Sequence, residues 1–241
     1  MNEIVLMLSH RNKKCRSGPN GLPNKIINNC LNGVSKFLYI LFNKIVEFNK
    51  IPDLIKISEI IPLLKPKKNK SLFESYRSIA IQNNVYKMFD TIIFNRIYSM
   101  TFNLVNKNQY GFKKGFSIYF QHIDTQKIIF DALNANAIAI DMIFLDFEKA
   151  FDKIIVPLLI NKLKQYNIDL QYLKLIQEML FKRLCYVIHN GIKSDIYEVD
   201  SGVSQGRVSS PHYFNLFIND LTTLIISHCL QYANDSLLSY I

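Results

Sequence analysis

Residues 144–152 read FLDFEKAFD, and this stretch closes an apolar run, AIAIDMIFLDF, at residues 137–147. The run alternates at first and is too short for a helix, which predicts a β-strand with Asp146 at its carboxyl end. Carboxylates that hold Mg²⁺ on a triphosphate are the main requirement of phosphoryl transfer, and rigid strand ends suit them. The stretch therefore predicts a candidate metal ligand, Asp146, at the end of a strand.

Two further segments carry candidate chemistry. The loop SGVSQG, residues 201–206, contains glycines that allow another backbone to approach closely. The segment HCLQYANDSLLSYI, residues 228–241, predicts a strand, a turn and a strand, with Asn234 and Asp235 at the tip. If this hairpin lies beside the strand that ends at Asp146, the acidic side chains meet at one edge.

Composition limits the class of function. The chain has 241 residues, of which 49% are hydrophobic, enough for a real core. Its formal charge of +10 favours a polyanionic partner, although a solvated basic surface explains the charge equally well. Four widely spaced cysteines predict neither a zinc site nor a disulfide framework. Because there is no secretory signal or membrane-length apolar run, we expect an intracellular protein without a membrane partner.

Apolar spacing and turn residues predict the remaining elements. The segment KISEIIPLLKPKKNK, residues 56–70, predicts a strand that runs into a basic loop, with Pro62 at an edge position. Asn190-Gly191 predicts a type I′ turn between strands at Cys185–His189 and Ile192–Val199. The predicted helices cover Leu31–Phe48, Val85–Ile97, Tyr119–Ala135, a short segment from Pro157, Leu170–Leu184, and a segment capped by Ser209 or Ser210 that runs to Leu221.

Several segments together resemble one known family. FLDFEKAFD, SGVSQGRVSSP followed by FINDL, and YAND resemble the three palm motifs of reverse transcriptases of non-LTR (LINE-type) retrotransposons. GPNGLP, IIPLLKPKK, YRSIAI and QYGFKKGFS resemble further blocks of that family, in the same order. One YxxD motif alone would be weak, but seven ordered blocks from about Gly18 onward are specific.

The resemblance implies a fold and a division of the chain. The expected fold is α+β, with the fingers and palm of a right-hand polymerase and an antiparallel palm sheet backed by helices. Residues 1–17 are expected to be an N-terminal extension, residues 18–137 mainly fingers and residues 138–241 mainly palm. The sequence ends just after the third motif, so we expect the thumb to be missing.

The resemblance also implies roles for individual residues. Asp146 is expected to bind two Mg²⁺ ions, with the Phe147 carbonyl and Asp235 as further ligands and Mn²⁺ as an alternative metal. Asp152, six residues after Asp146, is expected to be structural. The expected nucleotide-binding residues are Lys65, Arg77, Phe151 as a steric gate against a ribose 2′-hydroxyl, Gln205 and Gly206, and Lys113 and Lys114 are expected to contact the template. The alternatives are an ordinary buried phenylalanine at Phe151 and a plain turn at Gln205.

One catalytic position departs from the family pattern. The third motif of the family ends in two aspartates, whereas this chain has Asn234 before Asp235. An amide is neutral and offers one carbonyl oxygen, so it cannot bridge two Mg²⁺ ions as a carboxylate does. We therefore expect impaired catalysis. Ser78 and Ser204 stand where the family usually has proline.

The leading hypothesis is an RNA-directed DNA polymerase domain of a retrotransposon. Its expected partners are an RNA template, a DNA primer and deoxynucleoside triphosphates. One alternative is a non-catalytic nucleic-acid-binding remnant that uses basic fingers. The other is an unselected fragment of a decayed element that makes no stable protein.

Overall fold

The computed structural model describes residues 1–10 and 17–240, apart from the side chain of Asn28. Part of the predicted N-terminal extension, residues 11–16, lies outside the described residues. The helices are α1 (Asn2–Ser9), α2 (Asn24–Asn29), α3 (Leu31–Phe48), α4 (Asp53–Lys56), α5 (Asn84–Thr101), α6 (Ile118–Asn134), α7 (Val156–Gln165), α8 (Leu170–Leu180), α9 (Ser210–Phe217) and α10 (Leu221–Leu224).

The described strands form two sheets. The larger sheet has the order β2-β1-β4-β5, and β6 also pairs with β4; the smaller sheet has the order β3-β8-β7. The strands are β1 (Ser58–Leu64), β2 (Tyr76–Gln82), β3 (Asp141–Asp146), β4 (Arg183–His189), β5 (Ile192–Lys193), β6 (Tyr197–Val199), β7 (His228–Tyr232) and β8 (Asp235–Tyr240). These elements confirm the α+β class.

The edge position predicted from Pro62 holds only for half of its strand. β1 pairs with β2 along its whole length but with β4 only at residues 58–60. Pro62 therefore lies beyond the β4 pairing, on the part of β1 whose described strand partner is β2 alone. The type I′ turn is confirmed, because Asn190 and Gly191 both have positive φ angles, 50° and 79°.

Three predicted boundaries were wrong. Leu184 was assigned to a helix, but α8 ends at Leu180, and Leu184 lies on β4 after Lys182, whose φ is 46°. The strand predicted from residue 137 begins only at Asp141, which pairs with Tyr240, the last described residue. The helix predicted to run to Leu221 ends at Phe217, and its Ser209 hydroxyl donates to Asp90 instead of capping the helix.

The described residues form two apolar clusters, one among the helices and one under the smaller sheet. A large core joins buried side chains of α1, α2, α3 and α5 with those of α7 to α9, including Leu8, Ile93, Leu163, Ile176 and Tyr213. A small cluster under the second sheet consists of Tyr110, Leu230 and Leu237, with Ile128, Met142 and Tyr232 packed against it. The predicted boundary near residue 137 stays a prediction, since the large core draws on both sides of it. Across the described residues, none of the helices is long and apolar enough to span a membrane.

Candidate active site

The smaller sheet brings the predicted carboxylates together. Asp146 is the last residue of β3 and Asp235 is the first residue of β8, and the two are register partners across the antiparallel pair. Both side chains are exposed to solvent. The expectation that the hairpin tip lies beside the strand end is therefore met in the fold.

Asn234 sits between the two carboxylates in the turn of the β7–β8 hairpin. Its amide nitrogen Nδ2 donates a hydrogen bond to Asp146 Oδ1 at 2.6 Å. Its backbone carbonyl accepts from the Phe147 amide at 3.3 Å. The turn requires Ala233 to adopt a φ of 57°, a left-handed conformation that alanine rarely takes. The site thus contains two carboxylates and one amide that is already bonded to one of them.

The electrostatics of this pair suit a cation. Partial burial, together with the charge of Asp146, raises the pKa of Asp235 above its ordinary value. Two neighbouring anions repel, and a divalent cation bound between oxygen ligands relieves that repulsion. The described residues hold no group of three or more His, Cys, Asp or Glu side chains with metal-binding spacing. The pair with its backbone carbonyls fits an oxygen-ligated divalent ion, but the carboxylate set is small.

The glycine loop packs directly on the segment that follows Asp146. The Val203 amide donates to the Phe151 carbonyl at 2.9 Å. A Cβ atom at Gly202, whose φ is 70°, would lie 2.6 Å from the Asp152 carbonyl oxygen. Only glycine therefore fits this contact without displacing residues 147–152, which we call the FEKAFD turn.

The same loop reaches the larger sheet through Gln205 and Gly206. The Gln205 carbonyl accepts from the Ala80 amide on β2 at 2.7 Å. A Cβ at Gly206, whose φ is 108°, would lie 2.6 Å from the Ala80 carbonyl oxygen. The Gln205 side chain points the other way, with Nε2 3.4 Å from both carboxylate oxygens of Asp152. The loop therefore connects β2 to the FEKAFD turn.

Phe151 lies in an aromatic stack and is half-buried. Its ring is 5.2 Å from that of Phe214 with planes 16° apart, and 5.7 Å from that of Phe112 in an edge-on arrangement. Such stacking fixes the ring orientation. The position of the Phe151 ring is consistent with a steric gate and equally consistent with an ordinary buried phenylalanine.

The basic residues predicted in the fingers lie on the β1–β2 hairpin. Lys65 Nζ donates to the Glu74 carbonyl at 3.0 Å. Arg77 is exposed and lies opposite Leu63 in the strand register. Within the described residues, neither side chain forms a hydrogen bond or ion pair with Asp146 or Asp235. The described contacts of these two cations are therefore those within the β1–β2 hairpin.

The two predicted template contacts differ from each other. The Lys113 ammonium lies 4.4 Å from the centre of the Phe116 ring, and burial lowers its pKa. Lys114 is exposed, and its backbone amide donates to the Tyr98 hydroxyl at 3.2 Å. Lys114 is free to meet a phosphate, whereas Lys113 is already held over aromatic rings.

Two arginines that hold the glycine loop were not predicted. Arg207 is buried and donates to Asp90 on α5 at 2.9 Å and to the Met179 carbonyl at 2.9 Å. Arg183 donates to the Ser204 hydroxyl at 2.6 Å and to the Ser201 carbonyl. Arg207 directly follows Gly206, and this position next to the glycine loop could have identified it as a functional residue. Arg183 lies on β4, and nothing in the sequence around it indicates a role.

Comparison with known proteins identifies the family. The family model described as reverse transcriptase (RNA-dependent DNA polymerase) matches residues 65–240. The chain belongs to this family. Curated relatives include the RNA-directed DNA polymerase from mobile element jockey of Drosophila melanogaster, 26% identical over 92% of the chain, and a probable RNA-directed DNA polymerase from transposon BS of the same species, 27% identical over 77%. These matches confirm the resemblance to non-LTR retrotransposon reverse transcriptases. The chain spans between a fifth and a quarter of the length of these relatives, 20% and 24%.

Solved structures support the fold alone. Apo telomerase from Candida tropicalis, truncated from the C-terminal domain, superposes with a TM-score of 0.58 at 11% identity, over 90% of this chain and 49% of that one. Telomerase from the same species in complex with a fragment of telomeric RNA gives a TM-score of 0.57 at 12% identity, over 88% of this chain and 40% of the other. The reverse transcriptase fold is therefore shared across very distant sequences.

Proposed function

We propose that this chain forms the nucleotide-addition site of an RNA-directed DNA polymerase, with Asp146 and Asp235 as its acidic centre. The observation that carries the proposal is the strand register, which places Asp146 and Asp235 opposite each other at one end of the smaller sheet. Family membership supplies the reaction class, and the curated relatives are named for the same activity. RNA template, DNA primer and deoxynucleoside triphosphates are the proposed substrates.

Asp146, Asp235 and the Phe147 carbonyl are the residues that would hold Mg²⁺ or Mn²⁺. A divalent ion bound there supplies charge stabilisation for a triphosphate and for the attacking hydroxyl. Asp146 and Asp235 lie opposite each other because they are register partners at the ends of paired strands. The raised pKa of Asp235 supports this role, because a bound cation would remove the cost of two adjacent negative charges.

Asn234 is proposed to lower the activity of this chain. Its amide hydrogen bonds Asp146 Oδ1, so one oxygen of the first carboxylate is engaged before any cation arrives. The amide also brings no negative charge to balance a second ion. A lost ligand at a two-metal centre removes several kcal/mol of transition-state stabilisation, and each 1.36 kcal/mol is about tenfold in rate.

The remaining predicted residues are proposed to bind the nucleotide around this centre. Gln205 and Gly206 join β2 to the FEKAFD turn, a position that suits contact with a base pair. Phe151, fixed between two rings, suits a steric gate. Lys65 and Arg77 would have to reach the triphosphate from the β1–β2 hairpin.

The test combines metal binding with primer extension. We expect Mn²⁺ to bind the unmodified chain weakly, to bind Asn234→Asp more tightly, and to bind Asp146→Asn least, as measured by isothermal titration calorimetry. Primer extension on an RNA template should follow the same order. Asp220→Asn, which alters an aspartate paired with Lys162, is the matched control and should leave Mn²⁺ affinity unchanged. Equal Mn²⁺ affinity in all four proteins would overturn the proposed metal site, and robust extension by the unmodified chain would overturn the impairment.

A second candidate function is nucleic-acid binding without catalysis. The β1–β2 hairpin carries Lys65, Lys67, Lys68, Lys70 and Arg77 against two acidic residues, Glu59 and Glu74. Among the described ion pairs, none involves these five cations, so their charge is available to a phosphate backbone. Affinity for single-stranded RNA that falls steeply with added salt, together with no extension by Asn234→Asp, would favour this function.

A further inference from the structure

The turn that carries Asn234 and Asp235 is held by one buried side chain outside the three palm motifs. Gln109 is 1% exposed, and its amide oxygen accepts from the Ala233 amide at 3.0 Å and from the Gly111 amide at 2.8 Å. Its amide nitrogen donates to the Ala233 carbonyl at 3.2 Å. A single side chain therefore satisfies both backbone polar groups of the residue that takes the left-handed conformation in the turn.

The backbone around Gln109 reinforces this contact. The Tyr110 amide donates to the Gln231 carbonyl at 2.9 Å, and the Gln231 amide donates to the Asn108 carbonyl at 2.8 Å. Gly111 lies so close to the hairpin that an added Cβ would come within 2.0 Å of the Ala233 nitrogen. The segment thus adds a short parallel bridge to the β7 edge of the smaller sheet.

The segment 109–112 also contacts the other two motifs. The Asn215 side chain on α9 donates to the Gly111 carbonyl at 2.9 Å. The Phe112 ring meets Phe151 edge-on at 5.7 Å. One stretch of four residues therefore touches the turn of the third motif, the helix after the second and the aromatic ring of the first.

We propose that Gln109 is the positioning residue of the carboxylate centre, fixing the Ala233 turn so that Asn234 and Asp235 stay opposite Asp146. The inference rests on the proposed metal role of Asp146 and Asp235. The carboxylate centre needs such a residue because it has little packing of its own: β3 is almost wholly exposed, and the small cluster beneath the sheet contains few buried side chains. We call the hydrogen bonds of Gln109 to Ala233 and Gly111 the Gln109 clamp. Hydrogen bonds from Gln109 replace the missing apolar support, since a residue that orients a ligand tunes metal affinity without touching the metal.

The test uses Gln109→Met and Gln109→Glu. Methionine keeps the volume and removes both hydrogen-bonding functions, whereas glutamate keeps the acceptor for the Ala233 and Gly111 amides and loses the donor. Gln82→Leu is the matched control, because Gln82 is also a buried amide, 5% exposed, but lies on β2 in the other sheet.

Two readouts separate the clamp from the metal site. Amide hydrogen exchange of residues 232–235, followed by mass spectrometry, reports the turn without any metal. Mn²⁺ affinity by calorimetry reports the carboxylates. We expect Gln109→Met to speed exchange in the turn and to weaken Mn²⁺ binding by about 10- to 100-fold, the usual effect of removing a residue that orients a ligand. Gln109→Glu should fall between Gln109→Met and the unmodified chain, and Gln82→Leu should change neither readout.

The outcomes distinguish the two proposals. Unchanged exchange in the turn of Gln109→Met overturns the clamp, whatever the metal does. Faster exchange with unchanged Mn²⁺ affinity, while Asp146→Asn loses Mn²⁺, overturns the positioning role and leaves the metal site intact. If Asp146→Asn binds Mn²⁺ as well as the unmodified chain, the proposed function fails while the exchange result still decides the clamp. Should Gln109→Met fail to fold, the same comparisons are made with Gln109→Glu.

Discussion

The large helical core and the smaller sheet of the molecule are stabilised in different ways. The core consists of many fully buried side chains of the helices and their loops, and the buried ion pair of Arg207 with Asp90 involves one of these helices, α5. The smaller sheet has few buried apolar residues, and the side chains of β3 are largely in solvent, with Phe144 78% exposed. The candidate catalytic residues Asp146, Asn234 and Asp235 all lie on this smaller sheet or in its β7–β8 turn. Substitutions in the first region should therefore unfold the protein, and those in the second should change binding with little change in overall stability.

The largest expected effect tests the first half of this comparison. Arg207→Met leaves the Asp90 carboxylate buried without its cation, so we expect the free energy of unfolding to fall by about 3–5 kcal/mol in urea denaturation. The double variant Asp90→Leu with Arg207→Met removes both charges and should be less destabilised than the single variant. A loss below about 1 kcal/mol in the single variant would show that the loop is not held by this pair.

The smaller sheet was predictable from sequence for a local reason. Asp146 and Asp235 stand at strand ends within short segments of clear alternation, and the two antiparallel strands place those ends side by side. The long-range partners were not predictable. Gln109 bonds to Ala233 and Arg183 bonds to Ser204, both more than 15 positions away in the sequence. No rule of residue spacing predicts which distant residue a buried glutamine or a strand arginine will contact. The strand start at Asp141 was likewise not predictable from local alternation, since the observed strand is the part of this segment that pairs with β8.

A pH titration probes the same core through His212. Burial lowers the pKa of His212 to about 4, and its Nε2 lies 2.7 Å from the Thr101 hydroxyl. A histidine with a depressed folded pKa contributes stability above its unfolded value near 6.5, and this stability is lost as the pH falls towards 4. The shift corresponds to about 3 kcal/mol at 1.36 kcal/mol per pKa unit.

The variant His212→Gln isolates this contribution. Glutamine cannot ionise, so the variant should lose less stability than the unmodified protein between pH 6.5 and 4, measured by urea denaturation at each pH. The carboxylates that titrate in the same range are common to both proteins and cancel in the difference. Parallel pH profiles would mean that His212 is not held neutral by burial.

Phe73 separates binding from stability, because this exposed side chain lies outside the buried core. It lies in the basic loop between β1 and β2, three residues before β2 begins, and is 88% exposed. An exposed ring among lysines suits stacking on an unpaired base, which contributes about 1–3 kcal/mol per base. We expect Phe73→Ala to weaken binding of single-stranded RNA by roughly 5- to 150-fold in fluorescence anisotropy, with unchanged thermal stability. Phe37→Ala, an exposed ring on α3, is the control, and an equal effect of both changes would assign the loss to general surface apolarity.

The smallest expected effect concerns the carboxylate centre itself. The pKa of Asp235 is raised in the folded protein, by partial burial and then by the charge of Asp146, so the folded state holds this proton more strongly than the unfolded state. Its contribution to stability therefore declines as the pH rises above the ordinary aspartate value. Asp235→Asn removes this decline, and at neutral pH without divalent ions it should stabilise the protein by less than about 1 kcal/mol, because the pair is exposed.

Divalent cations should make the unmodified chain more stable than Asp235→Asn, the opposite of the order expected without them. A ligand that binds only the folded state stabilises it in proportion to the logarithm of its concentration over Kd. Added Mg²⁺ or Mn²⁺ should raise the melting temperature of the unmodified chain but not that of Asp235→Asn, so the two melting curves cross as the cation concentration rises. If Asp235→Asn gains as much from the cation as the unmodified chain does, Asp235 is not a ligand. The placement of this pair would then need another explanation than metal binding, because two adjacent carboxylates without a bound cation repel each other and weaken the sheet that carries them.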